Sequence, residues 1–183
     1  LVQFIKKYRH GLIILAYAIV YMLFFEYLEC RPVWGFHVID TVFDDYIPFC
    51  EYFIVPYLLW FPYQILTVLY FIFRNKNIKE YYQLIFNMMM GMTVFLIVSY
   101  AYPNVLHLRP SEFPRENVFT DMVRWLYRTD TPTNVLPSIH VFNSLAVHMS
   151  LTNCEALRDH KGVRYGSLVL TLLIIMSTMF LKQ

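Results

Sequence analysis

Apolar residues are gathered into long runs, and these runs are the dominant pattern of the sequence. A helix needs about 20 residues to cross the roughly 30 Å hydrocarbon core of a bilayer. Three runs, residues 11–27, 53–73 and 83–102, approach or reach that length, and two shorter runs follow at residues 138–152 and 167–183. The pattern predicts an all-α integral membrane protein, in which residues 1–183 form a single membrane-embedded domain with a bundle of five membrane helices.

The two longer connections between these runs carry a helical pattern of their own. In residues 36–49 and 116–128, apolar side chains recur every three or four positions, as they do on one face of a helix. They are Ile39, Val42, Phe43, Tyr46 and Ile47 in the first connection and Phe119, Met122, Val123 and Leu126 in the second. We expect a short amphipathic helix in each connection, lying at the membrane interface.

Composition supports the membrane assignment. The chain is 58% hydrophobic and 15% charged, and its mean hydropathy is +0.45, whereas soluble domains carry about 25% charged residues. The formal net charge of +2 is too small to suggest a nucleic-acid partner. We therefore expect the bilayer itself to be the main surroundings of the chain.

The distribution of cations predicts the orientation. In an alternating topology, one side of the membrane receives Lys6, Lys7, Arg9, Arg74, Lys76, Lys79, Arg158, Lys161 and Arg164. The opposite side receives only five arginines, which eight carboxylates offset. By the positive-inside rule the amino terminus is cytoplasmic and the two longer connections are exoplasmic. The expected location is a bacterial cytoplasmic membrane, with the candidate site on the exoplasmic side.

The fourth run opens with an unusual polar cluster, "PSIH". Pro137 suits the first turn of a helix, which places Ser138 and His140 at the exoplasmic mouth, where the unpaired N–H groups favour an anion such as phosphate. His140, Ser144 and His148 follow every four residues and form one polar stripe. For His148 a hydrogen-bonded structural role is favoured, whereas His140 is the better catalytic candidate.

A second polar motif follows the third run. The stretch "YPNVLHLRP" ends in Arg109 and Pro110, just outside the predicted membrane helix. A guanidinium is a bidentate ligand for phosphate, so Arg109 is a candidate anion ligand at the depth of His140.

Three motifs together resemble the signatures of the type 2 phosphatidic acid phosphatase superfamily. They are the stretch from Tyr102 to Arg109-Pro110, the stretch Pro137-Ser138-Ile139-His140, and the start of a third at Ser177-Thr178. Two departures remove cations, because Tyr102 stands where the family has lysine and Thr178 where it has arginine. Lys182 lies four residues after Thr178, hence on the same helix face, and is expected to supply the missing charge. Ile139 is a bulky third residue in the Pro-Ser-x-His motif, and in this the motif resembles the branch of the family that is related to inositol phosphorylceramide synthases.

The resemblance implies phosphoryl transfer without a metal ion or other cofactor. His140 would be the general acid, and Arg109, Ser138 and Lys182 would bind phosphate. The supporting residues would be Tyr102, Pro110, Pro137, His148 and Ser177. By the family's spacing the attacking histidine is the residue directly after Gln183, so we expect the chain to be a fragment of a six-helix protein.

The substrate implied is a lipid phosphate or diphosphate, hydrolysed at the exoplasmic face through a phosphohistidine intermediate. Headgroup transfer of the inositol phosphorylceramide synthase type is an alternative, since it differs only in the hydroxyl that accepts the phosphoryl group. A bundle in which the polar stripe lines a binding or transport pathway is a second alternative. An inactive relative that holds partner proteins is a third.

Overall fold

A computed structural model describes residues 8–183, so Lys6 and Lys7 of the predicted cytoplasmic cluster lie outside the described residues. Within that range the chain is almost entirely helical. Its six longer helices are α1 (Gly11–Cys30), α2 (Ile54–Phe73), α3 (Ile78–Ala101), α4 (Val118–Thr129), α5 (Ile139–Asn153) and α6 (Lys161–Phe180). Two two-residue strands, β1 (His37–Val38) and β2 (Asn104–Val105), pair in parallel between the helices.

Four of these helices are long and apolar enough to cross a membrane. They are α1, α2 together with the turn before it, α3 and α6, and their outer faces are lined with exposed apolar side chains such as Leu15, Leu66 and Ile97. This finding supports a helical membrane protein. The α5 helix has only 15 residues, or about 22 Å at 1.5 Å per residue, which is short of the hydrocarbon core. The predicted membrane span at residues 138–152, the fourth of the five, is therefore not established by this helix.

The helices alternate in direction along the bundle. The helix ends that form the candidate site therefore lie together at one end of it. The Nη2 atom of Arg31, just after α1, donates to the carbonyl of Ser99 near the end of α3 at 2.8 Å. The N–H of Cys50, just before α2, donates to the carbonyl of Phe180 at the end of α6 at 3.1 Å. We call this end of the bundle the mouth.

The two long connections differ from one another. The second forms the predicted helix, α4, which turns Thr120, Val123 and Leu126 inward onto the mouth. The first forms no amphipathic α-helix, and that prediction is wrong. It contains the strand β1 and a 3₁₀ helix, Val42–Tyr46, none of whose residues is buried. Without a buried face the helical spacing has nothing to stabilise it.

Two buried clusters hold the bundle together. One lies away from the mouth and joins α2, α3 and α5 through Phe71, Tyr81, Leu84 and Val147 among others. The other lies under α4 at the mouth and is formed by Ile54, Tyr57, Val123, Leu126 and Leu181. The mouth therefore packs against a buried apolar cluster, to which α4 and the end of α6 both contribute.

Candidate functional site

The α5 helix begins at Ile139, and Ser138 caps it. The Ser138 Oγ atom accepts from the N–H of Val141 at 3.4 Å, as a residue at a helix start commonly does. Pro137 precedes the cap, so its predicted place in the first turn is wrong by two positions. The polar cluster nevertheless stands at the mouth, as the sequence predicts.

The loop before Ser138 is held by a buried side chain, that of Asn104. Its Nδ2 atom donates to the carbonyl of Leu136 at 2.8 Å, and its Oδ1 atom accepts from the N–H of Leu136 at 2.9 Å. The backbone carbonyl of Asn104 also accepts from the N–H of Asn134 at 2.7 Å. Asn104 thus pairs with the loop much as a neighbouring strand would, and the pairing sets where α5 starts.

A small cavity lies beside the start of α5. Its volume is about 80 Å³, and its lining includes Glu29, Asp130, Asn134, Ser138 and His140. We call it the polar cavity. Two carboxylates therefore line it, and no lysine or arginine does so among the described residues. An isolated phosphate anion would meet unfavourable charge there.

A second and larger cavity of about 660 Å³ opens between α1, α2 and α4. Most of its lining is apolar, and we call it the apolar cavity. It shares Phe25, Tyr57, Asp130, Ile139 and His140 with the polar cavity. Its size is that of pockets that enclose drug-sized ligands, and the shared residues make the two cavities adjacent chambers, one polar and one apolar.

His140 stands at the boundary of these chambers. Its ring lies 4.5 Å from the ring of Tyr57 and 4.2 Å from that of Trp60, centroid to centroid. Its Nε2 atom is buried and has no hydrogen-bond partner within residues 8–183. An unpaired buried polar atom is costly, so a ligand that pairs with this nitrogen would gain that free energy.

Three more residues of the apolar cavity have a buried polar atom in the same condition. Tyr21 Oη, Trp60 Nε1 and Asn143 Oδ1 also lack a partner in the described part of the chain. The opposite end of the Asn143 amide donates to Gln64 at 3.3 Å. A purely aliphatic occupant would leave these atoms unpaired, whereas an amphiphile with ester or hydroxyl groups would pair them.

The guanidinium of Arg109 is held by backbone carbonyls at the mouth. Its Nη1 atom donates to the carbonyls of Tyr127 and Asp130 at 3.2 and 2.9 Å, so the guanidinium caps the carboxyl end of α4. Burial lowers the pKa of Arg109, while the neighbouring Asp130 opposes that change. Arg109 lines neither cavity, but its Nη2 atom donates at 2.7 Å to Gln183, which lines the polar cavity. Its phosphate-binding role stays a prediction.

Lys182 does not share a helix face with Thr178, and that part of the prediction is wrong. The α6 helix ends at Phe180, and Lys182 has a left-handed backbone with φ of 54°. Its Nζ atom donates to the carbonyls of Asp44 and Ile47, each at 2.6 Å. Two of the three N–H donors of the ammonium are thus engaged with the backbone, and its phosphate-binding role also stays a prediction.

The remaining predicted residues of the described chain lie outside both cavities. Tyr102 stacks on His37 with ring centroids 4.0 Å apart, and Pro110 follows Arg109 in the loop. His148 Nδ1 pairs with Ser167 Oγ at 2.8 Å, deeper in the bundle. The hydroxyl of Ser177 is buried and donates to the carbonyl of Ile174 one turn earlier on its own helix at 2.6 Å.

Sequence reasoning missed several residues of the two chambers. Glu29 is the last acidic residue of an apolar helix, and its place in a membrane run was a usable signal. Asp130 and Asn134 sit in a loop with ordinary turn composition, so no pattern distinguished them. Asn104 lies within a quoted motif but is indistinguishable there from any loop asparagine.

The mouth therefore combines a polar cavity, an apolar cavity and an unpaired imidazole between them, an arrangement that suits an amphiphilic ligand. No protein-family model, curated protein or solved structure matches the chain.

Proposed function

We propose that this chain belongs to a membrane lipid phosphatase or phosphotransferase, which hydrolyses a lipid phosphate or diphosphate through a phosphohistidine intermediate. The observation that carries the proposal is the position of His140 between the polar and the apolar cavity. An amphiphile whose chain fills the apolar cavity would bring its head to this imidazole. The likeness of "PSIH" and "RP" to the motifs of type 2 phosphatidic acid phosphatases agrees with that position.

The chemistry proposed for His140 is proton transfer. A histidine attacks phosphorus, the bond from phosphorus to the lipid oxygen breaks, and His140 gives its proton to the leaving oxygen. His140 then takes a proton from water, which attacks the phosphohistidine and releases phosphate. An imidazolium buried among aromatic rings needs an anionic partner, and the substrate phosphate would supply one.

The attacking histidine is proposed to follow Gln183. Gln183 lines the polar cavity together with His140, so a residue directly after it would lie close to the site. In the same proposal α5 is the fourth of the membrane spans and α6 the fifth, a sixth helix follows, and α4 lies at the interface. The mouth is exoplasmic and the amino terminus cytoplasmic, in a bacterial cytoplasmic membrane.

The test is phosphate release by the full-length protein in detergent, with chelator present. The substrates are a short-chain phosphatidic acid and an isoprenyl diphosphate. We expect His140→Ala to lower the rate by about a hundredfold, as for a lost general acid. The matched control is His148→Ala, which removes an imidazole from the same helix but from outside both cavities, and it should retain most of the rate. Equal rates in the wild type and His140→Ala would refute the role of His140.

Arg109→Ala separates two roles in the same assay. A phosphate ligand predicts about a hundredfold lower rate with little change in thermal unfolding. A cap of α4 predicts a lower unfolding temperature, with the rate falling only as far as folded protein is lost. Headgroup transfer would appear as no phosphate release from either substrate, with the dephosphorylated lipid and a phosphorylated alcohol formed once an alcohol acceptor is added.

A further inference from the structure

The polar cavity has a chemistry that a lipid phosphate by itself does not satisfy. Its charged lining residues are Glu29 and Asp130, and no salt bridge reaches either carboxylate within residues 8–183. Glu29 accepts from Thr131 Oγ1 and from Asn134 Nδ2, and Asp130 accepts from Tyr57 Oη at 3.2 Å. These donors are neutral, so they satisfy hydrogen bonds but leave both negative charges in place.

The burial of Asp130 makes this charge costly. Burial raises the pKa of the Asp130 carboxyl, and the nearby Glu29 raises it further, while Arg109 and the Tyr57 hydroxyl oppose the change. Arg109 directs its Nη1 atom to the backbone carbonyls of Tyr127 and Asp130. A cation in the cavity would lower the free energy of the charged carboxylates.

A second observation is independent of charge. Asn134 is only 7% exposed, and its Oδ1 atom has no donor among the described residues. Asn134 lines the polar cavity, and its backbone is fixed there by the bond from its N–H to the carbonyl of Asn104. A buried acceptor is thus held at the cavity with nothing to accept from. Its missing partner is a hydrogen-bond donor.

The side-chain oxygens of Glu29, Asp130 and Asn134 make the polar cavity rich in hydrogen-bond acceptors. A primary ammonium has three donors, no acceptor and a positive charge, and it meets all three groups. The volume of about 80 Å³ admits a few water-sized groups, which suits a small amine and not a sugar ring. No group of three metal-binding side chains occurs in residues 8–183, which makes a metal ion the weaker choice.

The adjacent apolar cavity indicates that the ligand carries an apolar part beyond its amine. Because both cavities share His140 and Asp130, an occupant with its ammonium at Glu29 and a chain in the apolar cavity carries its middle past the imidazole. Resting on the phosphotransferase form of the function proposed above, we propose that the substrate is a zwitterionic phospholipid, whose primary ammonium binds Glu29, Asp130 and Asn134 while its phosphate lies at His140. The attacking histidine bonds to phosphorus, the bond from phosphorus to the diacylglycerol oxygen breaks, and His140 gives its proton to that oxygen. Water or an alcohol then takes the phosphoethanolamine group from the histidine.

The test is calorimetric binding of non-hydrolysable phosphonate analogues to the detergent-solubilised full-length protein. Short-chain analogues of phosphatidylethanolamine and phosphatidylglycerol differ in the ammonium alone among their charged groups. We expect the ethanolamine analogue to bind about tenfold or more tightly than the glycerol analogue. Glu29→Gln should abolish most of that difference, chiefly by weakening the binding of the ethanolamine analogue.

Two further variants serve as controls for this measurement. Glu26→Gln removes an exposed carboxylate one turn earlier on α1 and should leave the preference intact. Asp130→Asn should lower the preference as Glu29→Gln does, so misfolding of one variant does not decide the matter. Equal affinity for the two analogues in the wild type, or the same loss for both in Glu29→Gln, would overturn the ammonium site.

Two other outcomes are distinguishable. Calcium or magnesium that raises the unfolding temperature of the wild type but not of Glu29→Gln would assign the carboxylates to a metal ion and overturn the proposal. If the preference is absent while phosphate release still depends on His140, only the headgroup inference fails. If the preference is present but no lipid releases phosphate, or phosphoethanolamine in the case of phosphatidylethanolamine, the phosphoryl-transfer proposal fails and the ammonium site stands.

Discussion

The clamp formed by Asn104 gives the sharpest structural prediction, because a single side chain positions the loop that leads into α5. Asn104 is fully buried, and its amide makes three hydrogen bonds, to the carbonyl of Tyr102 and to the carbonyl and the N–H of Leu136. Each such bond contributes about 1 kcal/mol net, and more where its partner is left buried and unpaired. Since Leu136 is partly exposed to water, we expect Asn104→Ala to lower the free energy of unfolding by about 2–4 kcal/mol.

Two measurements check this prediction. The free energy of unfolding is measured by denaturant titration in mixed micelles, against Asn153→Ala as the exposed control. Amide hydrogen exchange then localises the effect. The N–H of Leu136 bonds to the Asn104 side chain, whereas the N–H of Asn134 bonds to the Asn104 backbone and keeps its partner. Exchange at Leu136 should therefore accelerate more than exchange at Asn134.

Two outcomes would contradict a local role of the Asn104 amide. A loss below about 0.5 kcal/mol, as for an ordinary surface substitution, would show that the loop does not depend on the Asn104 amide. Equal acceleration at both N–H groups would show that the whole loop loosens and that the side chain has no local role. Asn104→Asp would keep the acceptor for Leu136 but bury a carboxylate oxygen against the two carbonyls that Nδ2 donates to, so it should destabilise the protein at least as much as Asn104→Ala.

Two further substitutions test packing and charge near the mouth. A Cβ atom at Gly91 would lie 2.0 Å from Cδ1 of Phe142, so Gly91→Ala should cost about 1–3 kcal/mol of the free energy of unfolding. Combining it with Phe142→Ala should recover part of that loss, and strictly additive losses would contradict the contact. The folded pKa of Asp130 is raised above its ordinary value of 3.8, so the folded state holds this proton more strongly than the unfolded state. Stability of the wild type relative to Asp130→Asn should therefore fall as the pH rises from below 3.8 toward neutrality, and a pH-independent difference would count against it.

The candidate site could be predicted only in part, and His140 shows why. Its motif, its helix and its place at the start of that helix follow from local sequence, because capping and helical periodicity involve residues a few positions apart. Lys182 shows the limit of such reasoning. Its spacing from Thr178 indicates a shared face only if the helix continues, and the structure ends the helix at Phe180 and directs the amine to carbonyls of the first long connection.

The same limit applies to the first long connection. Its apolar residues have helical spacing, yet spacing produces an amphipathic helix only where a surface exists to bury the apolar face. The second connection packs on such a surface, which Ile54 and Tyr57 form at the mouth, and there it folds into α4. Nothing in the periodicity of the two segments distinguishes the outcomes.

By itself, the sequence determined the membrane class, the four long helices and the polar start of α5. Each of these depends on composition or on neighbours within a few residues, and the cost of exposing backbone groups to lipid leaves helices as the available structure. Only the tertiary structure decided which distant residues meet. Glu29, Asp130 and Asn134 come from α1 and from the loop after α4, about a hundred positions apart, and their proximity is fixed by helix packing and by the Asn104 clamp. A chamber built from such long-range contacts leaves no local pattern, and so its acidic character appeared only when the chain was folded.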